Sequence, residues 1–507
     1  MKGMKRMKAD VLISGAGPTG LVLALWLTSY NVSVRIIDKQ PGPGNTSRAM
    51  AVHARTLEFY QQMGLADEVI ERGIKVEHAQ IHSEKGVRGD IHVGDIGQKL
   101  SPYPYVVSFA QDEHEELLIR HLQQKGVDVE WNTELVHFID SGEDVVATVQ
   151  LDGHTDRIEA SYLCGCDGAH SAVRKGLAFA FPGGTYERPF FVADVEATGK
   201  AIDGGMDAYL YKKGLLLMLP VRTAKTQRLL GILPEEFRGE DGGQHPQFQS
   251  FVEDLCQIQI QCVNWYSEYR VHHRVTEQFQ KGRVFIAGDA AHIHSPAGGQ
   301  GMNTGIGDAV NLAWKLAAAI HKRADVSILQ TYETERIDFA KTLVATTDRA
   351  FSTVMMQNVF GRTIRNFIAP KLAPLLFKWP FVREIAFHTV SQIGISYRSS
   401  VLSEGAVGKR KSGDRLPWTG DNFSHLQSID WQIHVYGNCT PALTEKAATL
   451  NIPIHTMPWT DKARQAGLRK DALYLVRPDS HIALASKTQD VQKLQHYVTT
   501  HRLERLL

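Results

Sequence analysis

The stretch GDAAHIHSPAGGQGMNTGIGDAVNLAWKL, Gly288 to Leu316, sets an acid and two histidines ahead of a glycine-crowded loop and the start of a helix. A metal, a phosphate or a flavin could each use that combination. In an extended segment residues i and i+2 share a face while i+3 does not, so Asp289, His292 and His294 converge only with an added turn. No metal is expected, and the other two ligands stay open at this point.

A second motif, GAGPTG, spans Gly15, Gly17, Pro18, Thr19 and Gly20. It fits G-x-G-x-x-G between a strand and a helix, where backbone N–H groups and the positive helix end can hold a pyrophosphate. Asp38, followed by Lys39, ends the next strand about 20 residues on, where a carboxylate can accept hydrogen bonds from a ribose. The plain alternative is an ordinary glycine-rich turn, and the fingerprint does not separate FAD from NAD. YLCGCDGAHSAVR, Tyr162 to Arg174, adds an Asp-Gly pair at Asp167 that a plain NAD fold lacks, although alone it reads as a surface turn. RVFIAGDAAH then delivers Asp289 at the carboxyl end of a strand, where α/β sheets bind ligands and a carboxylate can hold the hydroxyls of a ribityl chain.

The elements that must position these residues follow from periodicity. VLIS, the glycine turn, an apolar segment to Tyr30 and VSVRIID form a βαβ unit, with further helices expected over Arg55 to Gly73 and Glu113 to Gly126. Between about Phe179 and Val275 the pattern alternates, as in AYLYKKGLLLMLPV and RLLGIL, which predicts an antiparallel sheet inserted into the α/β body. Helical periodicity returns after Gly301 and runs to about Ile395. KRKSGDRLPWTGDN, Lys409 to Asn422, has the charge, Gly and Pro of a linker, and beyond it lies a small α/β unit. The expected domains are residues 1–178 and 276–400 as two parts of a cofactor-binding body, 179–275 as a substrate-binding β-sheet, and 410–507 as a C-terminal domain.

At 507 residues the chain needs more than one core. Fifty-six Lys and Arg against fifty-five Asp and Glu leave a formal charge of +1, which gives no reason to expect nucleic acid or an anionic membrane as partner. Lys2, Lys5, Arg6 and Lys8 before an apolar run imitate a secretory leader, but Asp10, Gly15, Gly17, Pro18 and Gly20 interrupt it. No stretch approaches the ~18 to 20 apolar residues of a membrane span. Five cysteines, few and odd in number, point to a reducing compartment, so a cytoplasmic protein is expected. Cys164 and Cys166 read as buried strand thiols rather than ligands.

Taken together, GxGxxG, the DG pair and GDAAHxxxPxGGQGMNTGxxDAxNLAWKL resemble the single-component FAD-dependent aromatic hydroxylases of the p-hydroxybenzoate hydroxylase and phenol hydroxylase family. The resemblance covers about Asp10 to Ile395, and SRAMAVHARTLEF and SPYPYVVSFAQDEHEELL match the family's intervening signatures. It implies an α/β fold with a Rossmann-like FAD-binding domain, the inserted antiparallel sheet and a thioredoxin-like C-terminal domain. That domain has only Cys439 near the relevant turn, so redox exchange by it is not expected.

Carried over by position, the resemblance implies that Gly15, Gly17 and Gly20, with Pro18 and Thr19, wrap the FAD pyrophosphate, and that Asp38 and Lys39 serve the adenosine ribose. Arg48 would meet cofactor phosphates and Gln111 the ribityl side; Asp167 would sit in the DG motif, and Gly288 with Asp289 on the flavin ribose. Pro296, Gly298, Gly299, Gly301, Met302 and Asn303 would line the isoalloxazine ring. There the helix N-terminus aims N–H donors and a positive dipole at the flavin edge that becomes anionic on reduction.

The implied reaction hydroxylates a phenolic ring with NADPH or NADH as transient co-substrate and O2, through a flavin C4a-hydroperoxide. The expected partners are a small aromatic substrate, NAD(P)H and O2, with a homodimer as the candidate assembly. Tyr209 and Tyr211 share one face of the inserted sheet and are the candidates to hydrogen-bond a phenol, with core packing as the alternative for each. The acid/base residues of the phenol hydroxylase branch do not carry over, since Met50 stands at its aspartate and the strand around Leu229 and Leu230 lacks its tyrosine. The apolar run Leu215 to Leu219 hints at a larger or less polar ring. A flavin oxidase or dehydrogenase of the same fold and a non-catalytic flavoprotein scaffold are the competing readings, while the W-x-W-x-I-P signature of a halogenase is absent.

Overall fold

The computed structural model describes residues 8–44, 49–83, 86–199, 202, 204–211, 214–237, 246–355, 372 and 375–506. Arg48 and the basic residues Lys2, Lys5 and Arg6 lie outside them.

The apolar strand Ala9–Ser14 is central in a sheet of eight strands. It pairs in parallel with His154–Gly165 on one side, Ile13 opposite Cys164, and with Val34–Ile37 on the other. Val284–Ile286 and Val129–Glu130 extend the parallel order outward. The helix Pro18–Ser29 follows the first strand, with proline in its first turn and every residue from Gly20 to Leu27 buried. A helix apolar all round needs cover on every side, and it lies between the sheet and the long helix Gly301–Ile320. The β-strand, glycine turn, helix and second strand therefore stand as the sequence predicts.

The expected helix over Arg55 to Gly73 divides into Ala54–Gln62 and Ala66–Arg72. Gly64, at φ +72°, ends the first segment in the left-handed conformation that a continuing helix cannot accommodate. The inserted sheet has seven strands in the order Ile258–Tyr269, Phe190–Gly199, Thr223–Ile232, Gly214–Val221, Met206–Tyr211, His78–Ser83, Gly86–His92. The last two come from the N-terminal part of the chain, well before residue 179, and join through parallel pairing of His78–Ser83 with Met206–Tyr211. Sequence periodicity is local and carries no sign of that long-range pairing.

The segment read as a linker is packed instead. Ser412, Asp414, Arg415, Leu416, Thr419 and Asn422 are buried; Arg415 donates to the Leu100 carbonyl at 2.7 Å and pairs with Glu58 at 3.2 Å. Arg415 thus finds its partners on the α/β body and Asp414 pairs with Arg398 at 2.7 Å, while Lys409, Lys411 and Asp421 stay exposed, a difference that composition alone cannot reveal. The C-terminal unit runs strand Gln432–Tyr436, helix Pro441–Thr449, strand Ile454–Met457, helix Asp461–Gln465, strands Leu473–Val476 and Ile482–Ser486, and helix Val491–Thr500. Its sheet order is Ile454–Met457, Gln432–Tyr436, Leu473–Val476, Ile482–Ser486, with only the first pair parallel. Trp431, Leu484 and Tyr497 share one core cluster with Leu12 and Leu25, and Trp314 meets Trp431 edge to face at 5.6 Å.

Candidate active site

Three glycine positions in GAGPTG have different physical reasons. A Cβ on Gly15 would stand 2.3 Å from the Cys166 carbonyl oxygen, and one on Gly20 would stand 2.0 Å from the Gly15 carbonyl oxygen, so both are glycine because backbone approaches backbone. A Cβ on Gly17 would meet nothing within 4 Å among the described residues. Gly17 caps the Pro18–Ser29 helix without a side-chain bond, leaving first-turn N–H groups toward that open space. Thr19 is wedged: its Oγ1 lies where Cβ atoms on Gly288 and Gly305 would fall, so this side chain joins the first helix to the Gly301–Ile320 helix. Asp38 Oδ2 accepts from the Ala16 N–H at 2.7 Å, tying the second strand's end to the glycine turn, and Lys39 beside it is exposed.

Across the sheet, Asp167 Oδ2 accepts from the N–H groups of Ala172 and Val173 at 2.7 and 3.2 Å. Its Oδ1 is buried with no partner among the described residues, and burial pushes its pKa up against the pull of those bonds. Gln111 spends its amide on Ala49 N–H at 3.0 Å and on Glu115 at 2.8 Å, thereby shaping the segment that leads to Arg48.

The third motif forms a wall. Asp289 is exposed at the start of the short turn Gly288–Ala290 that follows the strand Val284–Ile286. Pro296 opens the turn Ala297–Gly299, in which Gly298 and Gly299 have φ of +74° and +61°. The helix from Gly301 starts with Gln300 at its N-cap and no side-chain cap, again offering unsatisfied N–H donors from Gly301, Met302 and Asn303. The Met302 side chain is half-buried against the main core. The Asn303 side chain is fully committed: Oδ1 accepts from His53 N–H at 3.0 Å and Thr56 Oγ1 at 2.7 Å, and Nδ2 donates to the carbonyls of Ala51 and Gly299 at 2.8 and 2.9 Å. It is a latch, and what it could offer a ring is backbone.

That latch brings His53 to the cradle. His53 caps the Ala54–Gln62 helix, lies 1 % exposed, and brings Nε2 to 2.8 Å from the Gly298 carbonyl. Burial holds its pKa down at about 4, so it is neutral, and its Nδ1 has no partner among the described residues. Only its place in the SRAMAVHARTLEF signature marks it beforehand.

His292 and His294 have separate partners, and His294 Nδ1 lies 2.8 Å from the Ser295 carbonyl oxygen. His292 Nε2 lies 2.7 Å from Asp308 Oδ2, and Asp308 also meets Arg336 Nε at 2.6 Å and the Gly288 N–H at 3.0 Å. Burial raises the Asp308 pKa, but Arg336 and His292 outweigh it and hold the carboxyl below its usual range. Among the described residues no group of three His, Cys, Asp or Glu is placed to hold a metal.

The inserted sheet has two unlike faces. Tyr209 and Tyr211 share a face, as expected, but that face packs on the helix Pro246–Cys256 with Phe191, Leu216, Met218 and Phe248. The Tyr209 hydroxyl donates to the Cys256 carbonyl at 3.3 Å and the Tyr211 hydroxyl to the Ile232 carbonyl at 2.9 Å. Packing, the alternative weighed for each, is what their surroundings provide. A cavity of about 510 Å3 opens on the same side, lined by Phe191, Leu229, Phe248, Val252, Trp265 and Tyr266. The other face carries Leu215, Leu217 and Leu219, because Ala208 pairs with Leu217 and Tyr209 with Leu216. Leu219 packs against Met50, whose neighbour Ala51 lies 2.7 Å from where a Gly299 Cβ would be. The leucine face therefore looks toward the glycine cradle.

The cradle fits a flat, anionic, dinucleotide-sized group: open space over Gly17, two helix starts without side-chain caps, and buried polar atoms of Asp167 and His53 without partners among the described residues. Comparison with known proteins agrees. The model of the family described as "FAD binding domain" matches residues 8–347. The 6-methylpretetramide 4-monooxygenase of Streptomyces rimosus is 36% identical over 423 residues, covering 78% of this chain and 71% of that one. A flavin-dependent monooxygenase of Mycobacteroides abscessus is 31% identical over 514 residues, covering 94% and 97%. Among solved structures, CabE, an aromatic hydroxylase from angucycline biosynthesis, superposes with a TM-score of 0.75 at 26% identity over 95% of this chain and 96% of that one. The monooxygenase PieE, solved with FAD and substrate, shares the fold with a TM-score of 0.80 at 20% identity, covering 98% and 99%.

Proposed function

This chain belongs to the FAD-binding-domain family, and on that premise we propose that it is an FAD-dependent aromatic monooxygenase that hydroxylates a phenolic substrate with NAD(P)H and O2. The observation that carries the reading is the convergence of the glycine turn at Gly17, the Asp167 oxygen without a partner among the described residues and the uncapped Gly301 helix on one cradle. When bound, the flavin supplies the activation of O2 and the oxygen delivered to the ring.

The chain's own residues have the remaining work. Gly17 and Gly20 present backbone N–H groups to the pyrophosphate, while Gly15, packed against the Cys166 carbonyl, and Pro18, opening the helix, shape the turn and Thr19 holds the two helices in place. Asp38 and Lys39 serve the adenosine ribose, Arg48 the cofactor phosphates, Gln111 the ribityl side, and Asp289 the flavin ribose, next to the DG motif of Asp167. Backbone donors of Gly298 to Asn303, with Pro296 and Gly288 setting the turns, hold negative charge at the ring edge. His53 holds the Gly298 carbonyl through its Nε2 at 2.8 Å.

The substrate we propose is a polycyclic, largely apolar phenol. Relatives are named for 6-methylpretetramide and tetracenomycin A2, and the wall facing the cradle is Leu215, Leu217, Leu219 and Met50 rather than a set of polar anchors. Leucines there exclude water, which favours hydroxylation over peroxide release. The order of the C-terminal strands and helices is consistent with a thioredoxin-like domain, in which Cys439 bonds only within its own turn and has no second thiol. A cytoplasmic location is supported by five unpaired cysteines, and among the described residues no helix is long and apolar enough to cross a membrane. A homodimer remains the assembly to test by light scattering.

The experiment is reduction of the purified protein by NADH and by NADPH without oxygen, then aeration with polycyclic phenols and with simple ones. Product that accounts for the reductant consumed supports a monooxygenase. Reoxidation that yields only peroxide with every phenol would favour the oxidase reading, and protein that takes up no FAD would end both.

A further inference from the structure

The turn Arg477–His481 joins two strands of the C-terminal sheet and enters the α/β body, where all its charges are buried. Arg477 grips Glu335 with Nη1 at 2.7 Å and Nη2 at 2.9 Å, and Asp479 with Nε at 3.0 Å and Nη2 at 2.6 Å. Glu335 also receives Lys315 Nζ at 2.8 Å, Asn311 Nδ2 at 2.7 Å and Ser400 Oγ at 2.7 Å, and Asp479 receives Trp314 Nε1 at 3.2 Å. Asn311, Trp314 and Lys315 all belong to the Gly301–Ile320 helix, whose first turn is the wall of the cradle.

The same turn holds a second element. Arg55 donates to the Asp479 carbonyl at 2.7 Å and to Ser480 Oγ at 2.9 Å, and Gln62 donates to the Pro478 carbonyl at 3.0 Å. Arg55 and Gln62 bracket the Ala54–Gln62 helix, whose cap is His53, the residue bonded to Gly298. The loop Gly298–Asn303 is thus suspended between two helices, and one C-terminal turn binds both. Adjacent to Glu335, Arg336 joins Asp308, which holds the Gly288 N–H, and it also bonds the Tyr397 hydroxyl at 3.0 Å.

Buried ion pairs of this kind contribute little net stability compared with a well-packed apolar replacement; their distinguishing property is directional geometry. We infer that Arg477 and Asp479 are positioning residues for the flavin: the C-terminal domain fixes the two helices that frame the flavin loop, and so sets cofactor affinity. This inference rests on the FAD-dependent reading above.

The test compares Arg477→Lys, which keeps the charge and loses the fork, and Trp314→Phe, which loses one bond to Asp479, with Tyr497→Phe as control. The Tyr497 hydroxyl donates to the Leu402 carbonyl at 2.7 Å and, among the described residues, makes no hydrogen bond to the turn. FAD dissociation constants are read by titrating apoprotein, together with the visible flavin spectrum of each holoprotein and the apoprotein Tm. Arg477→Lys is expected to raise the FAD Kd about tenfold and Trp314→Phe about threefold, with altered flavin bands, while Tyr497→Phe lowers Tm and leaves Kd and spectrum alone. Equal Kd and spectrum in all three variants, at comparable loss of Tm, would overturn the inference; if Arg477→Lys does not fold, Trp314→Phe decides. Wild-type protein that takes up no FAD would overturn the flavoprotein reading itself, a result separate from unchanged affinity in the variants.

Discussion

His292 and Asp308 form a buried pair, Nε2 to Oδ2 at 2.7 Å, at the point where the aspartate also holds the Gly288 N–H and Arg336. The histidine that invites a metal assignment is thus part of the support beneath Asp289, and the two residues fail in different ways when removed.

Asp289→Ala is expected to weaken FAD retention much more than His292→Ala, since its carboxylate is exposed and proposed to hold the cofactor. His292→Ala is expected to cost about 1 to 3 kcal/mol of stability by leaving part of a buried charged network unpaired, with a smaller effect on FAD affinity. Urea unfolding and FAD titration of the two variants check this. A stoichiometric metal in wild type that disappears with His292 would contradict it.

Gly17→Ala and Gly20→Ala separate ligand space from packing. An alanine at 17 meets no atom of the described residues within 4 Å, so the variant should fold normally and lose about tenfold or more in FAD affinity as the methyl enters the pyrophosphate space. An alanine at 20 is driven into the Gly15 carbonyl, and that protein should be poorly soluble or unfolded. Circular dichroism and FAD titration decide; a Gly17→Ala protein with native affinity would move the pyrophosphate elsewhere.

Tyr209→Phe should leave product formed per NAD(P)H oxidised unchanged and cost about 1 kcal/mol of stability, because its hydroxyl bonds the Cys256 carbonyl on the helix-covered face. Leu217→Phe, on the opposite face, should change substrate preference and raise peroxide release while FAD content stays normal. Should Tyr209→Phe uncouple the reaction and Leu217→Phe leave it untouched, the two faces of the sheet are assigned the wrong way round.

Acid should loosen the protein. Burial lowers His53 to about 4 and His114 to about 3, against 6.5 for each when unfolded. Between the folded and unfolded values the unfolded chain binds more protons, so stability present above pH 6.5 is lost as the pH falls toward 4. At pH 5 each histidine removes about 2 kcal/mol. The urea midpoint should therefore fall between pH 7 and pH 5, and a level profile would mean that both rings protonate without leaving their buried sites.

Much of this molecule is local and therefore legible in order of residues. The strand, GAGPTG turn and apolar helix are fixed by short-range sterics and by a helix too apolar to face water, and the long motif from Gly288 specifies its own turn and helix start. Other features depend on contacts between residues far apart in the chain. Pairing of His78–Ser83 with Met206–Tyr211 enlarges the sheet, and the cross-strand register sets Tyr209 against Leu216 and leaves Leu217 on the other face. Alternation alone states that two faces exist; which one is covered by a helix is decided by where that helix packs. Likewise, composition makes Lys409 to Asn422 resemble a linker and leaves Arg477 an unremarked cation, because a charge is buried or solvated according to whether a partner arrives from elsewhere. Glu58, Glu335 and Asp479 arrive for Arg415 and Arg477 only in the folded chain.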